Sequence, residues 1–300
     1  MTTNVGEWGR EQIRRVLPTR TRRKIAWSRV ALREYTGRYR LLPNLLVIGA
    51  QRCGTSSLYR YLGRHPEVTA SLRKETRYFT RFLDKGENWY RAHFPLAAMA
   101  GTRARIAFEA TPDYLLDLNC AQRVVSTLGS CRIVVMVRDP VERAHSHYLH
   151  NRRLGIEPLE FDEALDREEV RLAAALEVAR GEPNGLLPNE YLRFSYATRG
   201  RYAEQLEPWL TRFSNREVLV LHSQDLFSRP AETFLRITQF LGVSPWAPDG
   251  FKNYSYVGTP PPSRERLEMS TSARELLVQH FREPNKRLSE MLGRSFDWGR

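Results

Sequence analysis

Residues Leu45–Leu62 read LLVIGAQRCGTSSLYRYL, and this stretch decides the fold. Leu45, Leu46, Val47 and Ile48 form an apolar run that stops at Gly49. A small polar loop follows, Ala50-Gln51-Arg52-Cys53-Gly54-Thr55-Ser56-Ser57, and then Leu58, Tyr61 and Leu62 recur at helical spacing. Strand, glycine-bounded loop and helix together aim backbone N–H groups and the positive end of a helix at an anion. Gly49 and Gly54 bracket four residues, as in the G-x-x-x-x-G-K pattern, but Thr55 stands where that pattern carries Lys. Arg52 is the only cation of the loop. The pattern predicts a phosphate loop built for something other than ATP.

Outward from this stretch, four more segments read as strands: Val68–Ala70, Arg105–Glu109, Cys131–Val137 and Val218–Leu221. Cys131–Val137, CRIVVMV, is continuous, apolar and β-branched, as a parallel strand buried on both faces should be. Helical spacing predicts helices over Gly86–Phe94, Asn119–Leu128, Pro140–Arg153, Phe161–Ala179, Gly200–Phe213, Ala231–Leu241 and Ser272–Leu292. Pro140 suits a first helical turn because its missing N–H is not needed there. The alternation implies an α/β fold, with one central parallel sheet flanked by helices on both faces. Residues 43–300 read as one domain and 1–42 as a basic helical arm.

The chain has 300 residues and a formal net charge of +13, nearly all of it from Arg, since Lys occurs only at 24, 74, 85, 252 and 286. Such a surface attracts polyanions, whether nucleic acid, anionic lipid or phosphate- and sulfate-bearing small molecules. The arm interleaves Arg20, Arg22, Arg23, Arg29 and Arg33 with Ile25, Trp27, Val30 and Leu32. It can therefore lie on an anionic membrane surface as a peripheral contact, or pack as a solvated arm on the domain. No run reaches the roughly 18 apolar residues of a membrane span. The first 15 residues lack the apolar core of a signal peptide, so a cytoplasmic location is expected. Cys53, Cys120 and Cys131 make an odd count without metal-type spacing, which fits a reducing compartment.

Two further features carry chemistry. Lys74-Glu75 follows the strand at Val68–Ala70, and ligands of α/β sheets gather at such carboxyl ends. A surface ion pair is the plain alternative. Arg138, directly after the clearest strand, precedes Ser146 by eight residues, so a guanidinium fork and a hydroxyl can share one anion. Trp89, Tyr114, Trp209 and Tyr254 can line a sugar site or belong to the core.

VIGAQRCGTSSLYRYL resembles the 5′-phosphosulfate loop of sulfotransferases that use 3′-phosphoadenosine-5′-phosphosulfate (PAPS), and CRIVVMVRDPVERAHSHYLH resembles their 3′-phosphate motif. RKETRYF, EATPDYL, GRYAEQLEPWL and HFREPNKRLSEMLGRSFDW are similar to segments of the heparan-sulfate and related carbohydrate branch. The resemblance covers about residues 44–300 and implies the sulfotransferase version of the P-loop nucleoside-triphosphate-hydrolase-like fold. It departs from the family in carrying Arg52 where Lys is usual, and in a C-terminal loop, YVGTPPPSRER, without the usual Gly/Lys/Arg signature.

What the resemblance implies is specific. PAPS is the donor and PAP, the desulfonated nucleotide, the product, with no metal. Gln51, Arg52, Cys53, Gly54, Thr55, Ser56 and Ser57 bind the 5′ end, and Arg138 and Ser146 the 3′-phosphate. Tyr202 and Arg264 are further nucleotide candidates. Glu75 is the general base; Arg52 and Lys74 assist the transfer; Lys74 and Tyr114 meet the acceptor, and Glu109 either meets it or supports the residues that do. The acceptor is a small molecule, glycan or glycolipid. Two other readings compete: a P-loop kinase or NTPase, against which the missing Lys counts, and a basic nucleic-acid-binding protein, for which no reading motif exists.

Overall fold

In the computed structural model the described residues are 19–100, 105–179, 186–254, 268–296 and 298. Five strands form one all-parallel sheet in the order β2-β3-β1-β4-β5. They are β1 (Leu45–Gly49), β2 (Val68–Ala70), β3 (Ile106–Ala110), β4 (Arg132–Val137) and β5 (Val218–His222). Each lies where the apolar runs predict one. β1 is central, paired with β3 through Leu45↔Phe108 and with β4 through Val47↔Val134. Leu45 to Ile48 and Ile133 to Val137 have no exposed surface, and each such side chain contributes about 1.5–3 kcal/mol through burial.

The helices around the sheet include α1 (Thr19–Glu34), α2 (Thr55–Leu62), α3 (Gly86–Arg91), α4 (Cys120–Leu128), α5 (Pro140–Arg153), α6 (Phe161–Asp166), α7 (Glu168–Ala179), α8 (Asn189–Phe194), α9 (Tyr202–Arg212), α10 (Pro230–Leu241) and α11 (Thr271–Leu292). The single helix expected over Phe161–Ala179 is two, broken at Arg167. Its cause is Glu168, whose carboxylate accepts the Ala197 and Thr198 N–H groups at 2.7 and 2.8 Å and so draws the start of α7 onto that turn. α8 lies in a region where no helix was expected. Arg264, a nucleotide candidate, is outside the described residues.

Sheet order places the site. From central β1 the chain reaches β3 and β2 on one side, β4 and β5 on the other, so a crevice opens at the carboxyl ends beside β1. Loops at that edge are knitted to neighbouring strands. Ala50 N–H reaches Met136 O at 2.7 Å, Thr111 N–H reaches Val47 O at 3.0 Å, and Glu75 N–H reaches Ala110 O at 3.1 Å.

Candidate active site: an anion cleft and a clamped carboxylate

The loop after β1 turns sharply before α2. Gly54 has φ +88°, which glycine adopts at no steric cost. Arg52 has φ +68°, which costs a residue with a side chain about 1–3 kcal/mol, so the surrounding structure holds it there. The result is that Arg52 Nε donates to Ser146 Oγ on α5 at 3.1 Å. The first N–H groups of α2 lack intrahelical partners by geometry and carry partial positive charge.

A cleft of about 480 Å³ opens here. Arg52, Gly54, Thr55 and Ser56 form one wall, Arg138 and Ser146 the second, and His222, Ser223, Gln224 and Phe227 after β5 the third. Its volume lies in the range of about 300–1,000 Å³ usual for small-molecule sites. The two carboxylates at its edge are engaged elsewhere. Asp139 Oδ1 caps α5 by accepting Val141 N–H at 2.8 Å, and Glu142 bonds Arg274 at 2.9 Å and meets Arg138 only at 3.9 Å. The cleft thus presents cations and N–H donors at two places, joined by Arg52 and Ser146. Among the described residues no group of three or more His, Cys, Asp or Glu is placed to hold a metal ion.

Glu75 stands at the same sheet edge, outside the walls of this cleft. Lys74 Nζ donates to its Oε1 at 2.8 Å and Arg77 Nη2 to its Oε2 at 3.1 Å. Burial pushes the Glu75 carboxyl upward, yet the Lys74 ammonium and the Arg77 guanidinium outweigh it and hold the group at about 2. Arg77 extends to Asp113 at 3.5 Å, and Asp113 to the buried Arg199 at 2.9 Å. Both Glu75 (φ +62°) and Arg77 (φ +55°) occupy the left-handed region, so this turn is held by its surroundings as well.

Glu109 supplies that hold. Its carboxylate is fully buried and accepts four hydroxyls: Thr76 and Thr111 at 2.7 Å on Oε2, Tyr90 at 2.7 Å and Tyr114 at 2.8 Å on Oε1. Thr76 lies between Glu75 and Arg77, so the fully buried carboxylate positions the half-buried one. Glu109 and Tyr114 are both closed to solvent with their polar atoms bonded to each other, so of the two readings of Glu109 the geometry fits the supporting one, and Tyr114 does not face an acceptor.

Three other candidates are also displaced from the cleft. Tyr202 is buried, and its hydroxyl donates to Arg138 O at 2.9 Å; it supports the cleft wall instead of lining it. Ser57 is buried and accepts Tyr254 N–H at 3.0 Å, tying α2 to the 252–254 segment. Gln51 has its Oε1 buried without a partner, away from the cleft walls. Cys53 is likewise turned away: its side chain is buried, burial raises its thiol, and its N–H donates to Ala50 O at 3.2 Å. Of the aromatic residues that could line a sugar site, Trp89, Tyr114 and Trp209 are core.

Three residues at or near the cleft and the Glu75 clamp escape the sequence reading. Arg77, two residues after Glu75, is hidden from spacing arguments by its positive φ. His222 had a signal: it directly follows the apolar run Val218–Leu221 at a strand's carboxyl end. Its Nε2 accepts the Trp298 indole N–H at 2.9 Å, and that pairing has no local trace in the sequence. His150, on α5, lies within electrostatic reach of both Arg52 and Glu75; burial and then Arg52 lower it to about 4. His147 is buried, with its ring 4.9 Å from that of Tyr196.

Fold and cleft together define an α/β phosphate-loop protein whose loop cation is an arginine and whose loop is joined to a second anion site. Residues 42–251 match the family model of the sulfotransferase domain, and the chain belongs to that family: it is a sulfotransferase. A solved sulfotransferase from Alicyclobacillus acidocaldarius is 30% identical with a TM-score of 0.65, over 85% of this chain and 98% of that one. The membrane-associated sulfotransferase kil1 of Dictyostelium discoideum is 24% identical over 87% of this chain and 68% of its own length. Mouse heparan sulfate glucosamine 3-O-sulfotransferase 3B1 is 29% identical over 86% of this chain. The chain spans 65% of that mouse protein.

Proposed function

We propose that the chain transfers a sulfuryl group from PAPS to a hydroxyl or amine of a carbohydrate acceptor, a glycan or glycolipid. The observation that carries this reading is the convergence of Arg52 with Ser146, which makes one cleft of a 5′ and a 3′ anion site. A nucleotide carrying both a 5′-phosphosulfate and a 3′-phosphate needs that pair of sites. The N–H groups of Gly54, Thr55 and Ser56 and the Arg52 guanidinium hold the 5′ end and stabilise charge on the departing phosphate oxygen. Arg138 and Ser146 hold the 3′-phosphate, the feature that separates this donor from ATP.

PAPS supplies an activated sulfuryl group whose sulfur–oxygen bond breaks as the acceptor oxygen or nitrogen bonds to sulfur. Glu75 takes the acceptor proton. Clamped by Lys74 and Arg77, its carboxylate is ionised at neutral pH but weakly basic. Lys74 moving from Glu75 to the sulfuryl oxygens raises that basicity while opposing the charge that develops. Positioning and charge stabilisation then do most of the work, as in phosphoryl transfer. Relatives named for heparan sulfate support a carbohydrate acceptor.

One calorimetric titration separates this reading from its rivals. PAP should bind without magnesium; tighter binding of ATP with magnesium, or of an oligonucleotide, would overturn it. Glu75→Gln should retain PAP binding and lose turnover by a factor of about 10²–10⁴. Turnover that survives in Glu75→Gln places the base elsewhere. Mass spectrometry of extracts from cells with and without the gene, fed labelled sulfate, identifies the acceptor.

A further inference from the structure

Helix α1 and the turn after it carry an apolar stripe that stands exposed among the described residues. Ile25, Leu32 and Tyr39 recur at seven-residue spacing and are 46%, 73% and 56% exposed; Tyr35, three residues after Leu32, is 89% exposed. Arg29 and Arg38 flank the stripe and are exposed too, with the Arg38 guanidinium 4.6 Å above the Tyr39 ring. Over residues 19–40 the sequence has eight basic residues and one acidic, Glu34.

The opposite face of α1 is anchored. Val30 is fully buried, and Trp27 packs edge-on against Phe82 with ring centres 5.4 Å apart. Arg40 Nη1 reaches Phe94 O at 3.0 Å, and Arg33 Nη2 bonds the same carbonyl. The Arg73 guanidinium lies 4.4 Å from the Trp27 ring, one residue before Lys74. The exposed stripe is therefore held rigidly on the domain, on an element that touches the segment carrying Lys74 and Glu75.

We infer that this stripe docks on an anionic lipid bilayer. A separated row of aliphatic and aromatic side chains flanked by arginines suits the headgroup boundary, where apolar groups enter the acyl region and cations meet lipid phosphates. Charge complementarity selects this occupant: the net charge of +13 opposes close approach of a second copy, and an acidic surface is what the arginines match. Docking by this face sets the Lys74–Glu75 side of the enzyme near the bilayer.

The test uses the full chain and vesicles of phosphatidylcholine, with and without about 30% phosphatidylglycerol. Wild type should sediment with the anionic vesicles at least about tenfold more tightly than with the neutral ones, and raised salt should weaken it. The pair Leu32→Asp with Tyr35→Asp, and separately Arg29→Glu with Arg38→Glu, should each lose about tenfold or more. The inference is overturned if wild type fails to sediment, if its binding ignores salt and lipid charge, or if both variant pairs sediment as wild type does. It is equally overturned if wild type dimerises without lipid in sedimentation velocity and the same substitutions abolish the dimer, for then the stripe joins two copies.

Discussion

Arg52 Nε donates to Ser146 Oγ at 3.1 Å across 94 residues of sequence. The bond joins the loop after β1 to the helix after β4, and so couples the two anion sites of the cleft. Arg52→Ala, Ser146→Ala and the double variant, each titrated with PAP, should give losses that do not add, with an interaction energy of about 0.5–3 kcal/mol. Strict additivity would mean that loop and helix act separately.

Arg138 should act on one phosphate only. Arg138→Ala should weaken PAP by roughly 10–100-fold, the size of a lost charge-assisted contact, and adenosine-5′-phosphosulfate much less. Equal losses for both nucleotides would remove Arg138 from the 3′-phosphate.

The clamp on Glu75 predicts a pH signature. A carboxylate held at about 2 against an ordinary 4.5 stays ionised through the neutral range, so in wild type it sets no acid limb of kcat/KM there. Its contribution to stability is complete above 4.5 and is lost as pH falls from 4.5 towards about 2. Arg77→Met removes one of the two cations and should move the acid limb upward towards the ordinary carboxylate value. A pH–rate profile of Arg77→Met identical to wild type down to about pH 4 would show that Arg77 does not tune the base.

Glu109 should matter for folding before it matters for chemistry. Glu109→Ala leaves four buried hydroxyls without their acceptor, at about 1–3 kcal/mol for each that stays unpaired, so a loss of at least about 3 kcal/mol is expected by urea unfolding. Tyr90→Phe should cost about 1 kcal/mol. A Glu109→Ala protein of near wild-type stability would mean that the four hydroxyls find other partners.

Gly200 lets two elements touch behind the cleft. A Cβ there would sit 2.6 Å from the Phe281 ring of α11 and 2.8 Å from Pro140, the first residue of α5. Gly200→Ala should cost about 1–3 kcal/mol by overpacking. Because Pro140 follows Arg138 and Asp139, it should weaken PAP as well; unfolding and PAP titration of one variant read both effects.

The amino-acid sequence alone determined the five strands, the parallel α/β architecture and each half of the cleft by itself, the 50–57 loop and the Arg138–Ser146 offset. These are legible because apolar runs, glycine positions and an eight-residue offset are local: backbone sterics and burial act on neighbours along the chain. Tertiary structure alone decided which polar residues face the cleft. Tyr202, Ser57, Glu109 and Tyr114 had the right chemistry for ligands and turned inward: Tyr202 donates to the Arg138 carbonyl, Ser57 accepts the Tyr254 N–H, and the Glu109 carboxylate accepts the Tyr114 hydroxyl with three others. Arg77, His222 and Trp298 gained their roles in the opposite way, through turns and strand order that bring separate stretches of chain together. Whether a polar side chain meets a ligand or its own protein depends on those long-range neighbours, which periodicity does not encode.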